Sequence, residues 1–96
     1  MEYIITFKNT NFAIKAEQCL LEKKLQISVM PLPSQIRAGC GICLRVNQDE
    51  IKLALKALLD KQIDEIELFT MVTENGRFIY NELKDRRVLS GKPEDN

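Results

Sequence analysis

An α+β domain is predicted by three features of the sequence. Two β-branched and aromatic runs, Tyr3-Ile4-Ile5-Thr6-Phe7 and Ile66-Glu67-Leu68-Phe69, read as strands. Two intervening stretches space their apolar residues by three and four, the period of a helix face. Between those helices, Ile42-Cys43-Leu44-Arg45-Val46 alternates as a strand with one buried face should.

Taken in order, the first strand ends at Phe7, and Asn9-Thr10-Asn11 supplies residues that cap helices. Phe12, Ala16, Cys19 and Leu20 then mark one helical face. Residues 25–30 form a second strand, with Ile27 and Val29 on one side and Ser28 on the other. Pro31-Leu32-Pro33 stops it, because a residue before proline is pushed away from helix. Residues 34–41 have no sustained period. The next strand buries Ile42, Leu44 and Val46, which turns Cys43 and Arg45 the other way. Asn47-Gln48-Asp49-Glu50 has the spacing of a capping box. Ile51, Ala54, Leu55, Leu58 and Leu59 make the second helical stripe.

Strand, helix, strand, strand, helix, strand is the order of a split βαβ, or ferredoxin-like, sandwich, with both helices on one face of an antiparallel sheet. Ile4 and Ile5 make the first strand apolar on both faces, so the second face is expected to be covered too. Residues 1–72 are assigned to this unit and residues 73–96 to a partly flexible extension. Within the extension, Asn75-Gly76 is a hairpin turn that returns residues 78–80 as an edge strand. Residues 81–89 are expected as a short helix and 90–96 as a frayed end.

Composition narrows the function. Ninety-six residues suit one domain with a modest core. Fourteen basic residues balance fourteen acidic ones, so no global field draws in nucleic acid or an anionic membrane. No run is long and apolar enough to span a bilayer. Met1-Glu2-Tyr3 lacks the basic start of a secretory leader, which makes the reducing cytoplasm the expected compartment. Histidine is absent, which removes the commonest general base and metal ligand together. Three cysteines, at 19, 40 and 43, do not read as a disulfide framework. They are also one ligand short of a zinc site, so neither a metal nor another cofactor is expected.

The reactive candidate is Cys40, in Ala38-Gly39-Cys40-Gly41-Ile42-Cys43. It sits in a connection longer than a hairpin needs, and such loops tend to carry function. Gly39 and Gly41 can take positive φ and admit a close partner. Their amides, with Arg37 or Arg45, could stabilise a thiolate. An exposed thiolate without histidine suits attack on another sulfur better than hydrolysis. The same residues also read as a tight strand entry in which cysteine is a small hydrophobe. Cys19 lies on the apolar helix face and is expected in the core. Cys43 reads either as a small residue on the second sheet face or as a resolving thiol for Cys40. In an extended chain the two Cα atoms lie ~10 Å apart. A disulfide spans less than ~7 Å, so the pair closes only if Gly41 turns the chain.

Tyr3-Ile4-Ile5-Thr6-Phe7, Ala16-Glu17, Pro31-Leu32-Pro33, Ile36-Arg37-Ala38-Gly39-Cys40-Gly41 and Leu44-Arg45-Val46 together resemble the small bacterial Se/S carrier protein-like family. The resemblance covers about residues 2 to 70. It implies transient sulfur or selenium on the motif cysteine, here Cys40, as a persulfide or selenopersulfide. It also implies a protein donor such as a cysteine desulfurase, a protein acceptor, and a carrier rather than an enzyme. Position 43 is usually small and apolar in that family, so Cys43 departs from the pattern. Two other readings stand beside it: a thiol-disulfide switch using Cys40 and Cys43, and an interaction module dimerising through the open sheet face.

Overall fold

The computed structural model describes residues 1–84 as an α+β domain, a five-stranded antiparallel sheet with two helices. The elements are β1 (Glu2–Phe7), α1 (Thr10–Glu22), β2 (Ile27–Pro31), β3 (Ile42–Asn47), α2 (Ile51–Asp60), β4 (Ile66–Glu74) and β5 (Arg77–Glu82). The strand order is β2-β3-β1-β4-β5, and every neighbouring pair is antiparallel. No helix among the described residues is long and apolar enough to cross a membrane.

β1 lies between β3 and β4, and residues on both of its faces are buried. Ile5 belongs to the cluster beneath the helices, with Leu20, Leu44, Val46, Leu58 and Leu68. Ile4 belongs to a second cluster on the opposite face, with Ile36, Cys43 and Met71. The expectation that something covers this second face is met by the β2–β3 connection, whose Ile36 is only 4% exposed.

α1 begins where the capping run predicts: the Asn9 side chain accepts from the Phe12 amide at 3.0 Å. Both helices end alike. Lys24 and Gln62 take φ of 62°, and the amides of Leu25 and Ile63 reach back to the carbonyls of Leu20 and Leu58. Leu25 is thus a buried helix stop rather than the start of β2. α2 starts later than the capping box suggests. Asn47 Oδ1 accepts from the Glu50 amide at 3.0 Å, but the Glu50 carboxylate accepts from the Gln26 amide at 2.8 Å instead of folding back on Asn47.

The Asn75-Gly76 turn forms with φ of 52° and 76°, the left-handed pair that a two-residue hairpin requires. β4 therefore runs on to Glu74, through the boundary expected at residue 72, and the sheet continues into β5. Asn81 and Glu82 belong to β5 and not to a helix. The rest of that expected helix, from residue 85, and the expected frayed end lie outside the described residues.

Candidate functional site

The β2–β3 connection passes from one face of the sheet to the other. The Leu32 amide donates to the Gly41 carbonyl at 2.9 Å, and the Ile36 amide donates to the Pro33 carbonyl at 3.0 Å. Ile36 packs on the second face, whereas Cys40, four residues on, belongs to the cluster beneath the helices. Gly39 makes the crossing possible. A Cβ there would lie 2.0 Å from the Lys8 carbonyl oxygen, so only glycine lets the chain press against the end of β1. Gly41 has open space around its α-carbon. Among the described glycines only Gly76 has positive φ, so the left-handed turn expected at Gly39 and Gly41 does not form.

This tight crossing sets the position of the thiol. Cys40 is 3% exposed, not presented to solvent as the loop's length and glycines suggest. Its chain neighbours Gly39 and Gly41, and the Thr10 that it contacts, are all exposed. The Thr10 hydroxyl donates to Cys40 Sγ at 3.7 Å. Thr10 opens α1, where the first amides have no helical partner and the helix dipole favours negative charge. The sulfur lies one side chain below the surface, at the electropositive end of a helix. Thr10 was not singled out in the sequence. The Asn9-Thr10-Asn11 run located the helix start, but nothing local showed that Cys40 would meet it.

Arg45 does not join Cys40. It shares the second face with Cys43 and forms an ion pair with Glu2. Arg37 is exposed and lines an open groove of about 460 Å³ with Lys8, Gly39, Glu65 and Glu67. Within it Lys8 pairs with Glu65 at 3.2 Å. Cys43 is fully buried in the second cluster, and its thiol donates to the Pro31 carbonyl at 3.8 Å. Burial, and secondarily the charge of Cys40, push its thiol up to about 11, so it is protonated at neutral pH. Cys40 and Cys43 thus belong to clusters on opposite faces, and all three cysteines are free. Cys19 is in the core as expected, its thiol donating to the Ala57 carbonyl of α2 at 3.6 Å. Among the described residues no group of three or more histidine, cysteine or acidic side chains gathers to hold a metal ion.

Fold and site together define an α+β domain with one cysteine set under the first turn of a helix. The family described as Putative Se/S carrier protein-like matches residues 2–70, and the chain belongs to that family. Neither a curated protein nor a solved structure matches it.

Proposed function

We propose that the protein carries sulfur or selenium on Cys40 as a persulfide or selenopersulfide and hands it to an acceptor protein. The observation that carries this reading is the seat of Cys40 Sγ under the first turn of α1, within reach of the Thr10 hydroxyl. Family membership supports the choice of cargo. The Cys40 thiolate attacks the outer sulfur or selenium of a donor persulfide. A bond forms from Sγ to that atom, the donor's bond to it breaks, and the donor leaves as a thiolate. The transfer consumes no oxidant and needs no histidine. The proton on the transferred sulfur or selenium passes to the departing donor thiolate, directly or through solvent, and the Thr10 hydroxyl and the helix amides favour the negative charge left on the terminal chalcogen.

The partners are a persulfide-bearing donor such as a cysteine desulfurase and a thiol-bearing acceptor, met in the reducing cytoplasm. The protein is a carrier and not a catalyst. A buried, protonated Cys43 on the other face favours carriage on one cysteine over a Cys40–Cys43 switch. The first six elements serve as a split βαβ platform, to which β5 adds an edge; their strand order, β2-β3-β1-β4, supports this.

The test is incubation with a cysteine desulfurase and cysteine, followed by intact and peptide mass spectrometry. One added sulfur atom should map to Cys40. Cys43→Ala should still load and Cys40→Ser should not. Equal loading of Cys40→Ser would remove the proposal.

A further inference from the structure

Each end of the sheet leaves a strand with a single neighbour, β2 at one edge and β5 at the other. The two edges differ in what they offer. In an antiparallel ladder, alternate residues turn their N–H and C=O toward the neighbour and the others turn them away. The bond from the Leu32 amide to the Gly41 carbonyl sets this alternation on β2, so Ile27, Val29 and Pro31 face outward. Pro31 has no N–H, which blunts that edge. On β5 the Leu83 amide donates to the Leu68 carbonyl at 2.7 Å, so Phe78, Tyr80 and Glu82 face outward. No proline, lysine or bulge interrupts β5, and nothing among the described residues pairs with its outer side.

The middle of the strand is apolar, Phe78-Ile79-Tyr80, between Arg77 and Asn81-Glu82. Phe78 is 51% exposed, and its ring lies 6.5 Å from that of Tyr80. Phe78 stands opposite Thr73 and Tyr80 opposite Met71, which places both on the face away from the helices. With Gln35 they line an open groove of about 610 Å³.

We infer that β5 pairs antiparallel with β5 of a second copy of this chain, about a two-fold axis at Ile79. The alternation restricts the register, because two outward-facing residues must stand opposite each other. The axis therefore passes through a residue and not between residues. With the axis at Ile79, Phe78 faces Tyr80 of the second copy and Tyr80 faces its Phe78. Each of these pairs exchanges both N–H···O bonds. On the other side of the sheet Ile79 meets its own counterpart. The three inner positions match apolar with apolar, and aromatic cross-strand pairs are among the favourable ones. Arg77 meets Asn81 and Glu82 meets Gly76, so no like charges are opposed. Moving the axis to Tyr80 would set Phe78 against Glu82, and moving it to Phe78 would set Tyr80 against Gly76. A net charge of zero adds no repulsion between copies. The contact is isologous and closes at two chains, joining both sheets into one. It uses none of the residues around Cys40, so it is independent of the carrier reading.

Sedimentation equilibrium of the full chain should give a dimer whose share rises with concentration. Phe78→Lys changes an exposed side chain and should weaken the dimer by about tenfold or more, with the circular dichroism spectrum unchanged. Ile79→Cys should give, under mild oxidation, a disulfide between the substituted positions of two copies. Residues opposite each other in a non-hydrogen-bonded pair have Cα atoms ~4.5 Å apart, within the span of that bond. A monomeric full chain overturns the inference, as does a dimer that Phe78→Lys leaves intact and that gives no such cross-link. A monomer that dimerises only after removal of residues 85–96 overturns it in favour of the chain's own tail.

Discussion

A hydroxyl 3.7 Å from a sulfur matters here because of where it stands. Thr10 is not needed to cap α1, since Asn9 already does so. Its hydroxyl is therefore available to the thiol. Thr10→Val keeps the shape and removes the donor. It should slow iodoacetamide alkylation of Cys40 at neutral pH on the order of tenfold, the worth of one hydrogen bond to a charged group. Thr10→Ser should retain the rate, whereas a purely steric role would leave the valine variant unchanged and alter the serine one. Cys43 makes the opposite case. Its thiol, ordinarily near 9.0, is raised to about 11 by burial, so the folded chain keeps a proton that the unfolded chain releases. The stability this contributes is intact below pH 9 and is lost as pH rises through about 11. Tyr80, raised by burial and then by Cys43, adds to the loss above 10. In urea melts Cys43→Ala should flatten the decline over that window, by roughly 1–3 kcal/mol at its alkaline end. An unaltered slope would mean that the thiol is not held in the way described.

At the level of elements, the glycines flanking Cys40 do different jobs. Gly39→Ala would drive a methyl into the Lys8 carbonyl, 2.0 Å away, and should cost about 1–3 kcal/mol in thermal or urea unfolding. Gly41→Ala meets open space at ordinary φ and should change stability little. Near-equal melting of the two variants would contradict the packing of the connection against β1. The same contrast explains what was legible in the sequence. β1, β3 and both helices were visible because their apolar periods follow from which face is buried. The hairpin was visible because Asn-Gly is the chemistry its turn demands. The helix ends were not, because Lys24 and Gln62 take positive φ where glycine is the usual signal. The depth of Cys40 was not, because it depends on Lys8, which is distant in sequence. Cys40 itself stood out through its flanking glycines, although only Gly39 has a spatial reason to be one.

Across the whole molecule, the three thiols sample three kinds of protection. Cys19 bonds between the helices, Cys43 sits in the cluster on the second face, and Cys40 is buried beside the exposed Thr10 and next to the exposed Gly41. Local opening costs less than global unfolding wherever few contacts must break. Pulsed labelling with a maleimide under native conditions should therefore modify Cys40 first. Cys19 and Cys43 should follow only with global unfolding, slower on the order of a hundredfold or more. Equal rates for all three would show that no separate opening serves Cys40. The sheet itself supplies the contrast: β1 at its centre is buried on both sides, while the Cys40 segment, besides the packing of Cys40 itself and the Leu32–Gly41 bond, is attached where Gly39 meets Lys8 and where Ile36 meets the second face.

The attachments at Gly39 and Ile36 limit how far the Cys40 sulfur can travel. With Ile36 moored on one side of the sheet and β3 starting at Ile42 on the other, the intervening chain can tilt but cannot sweep like a long tether. Under the proposed function, a chalcogen on Cys40 would stay within one small doorway beside α1, and giver and receiver would visit that doorway in turn rather than together.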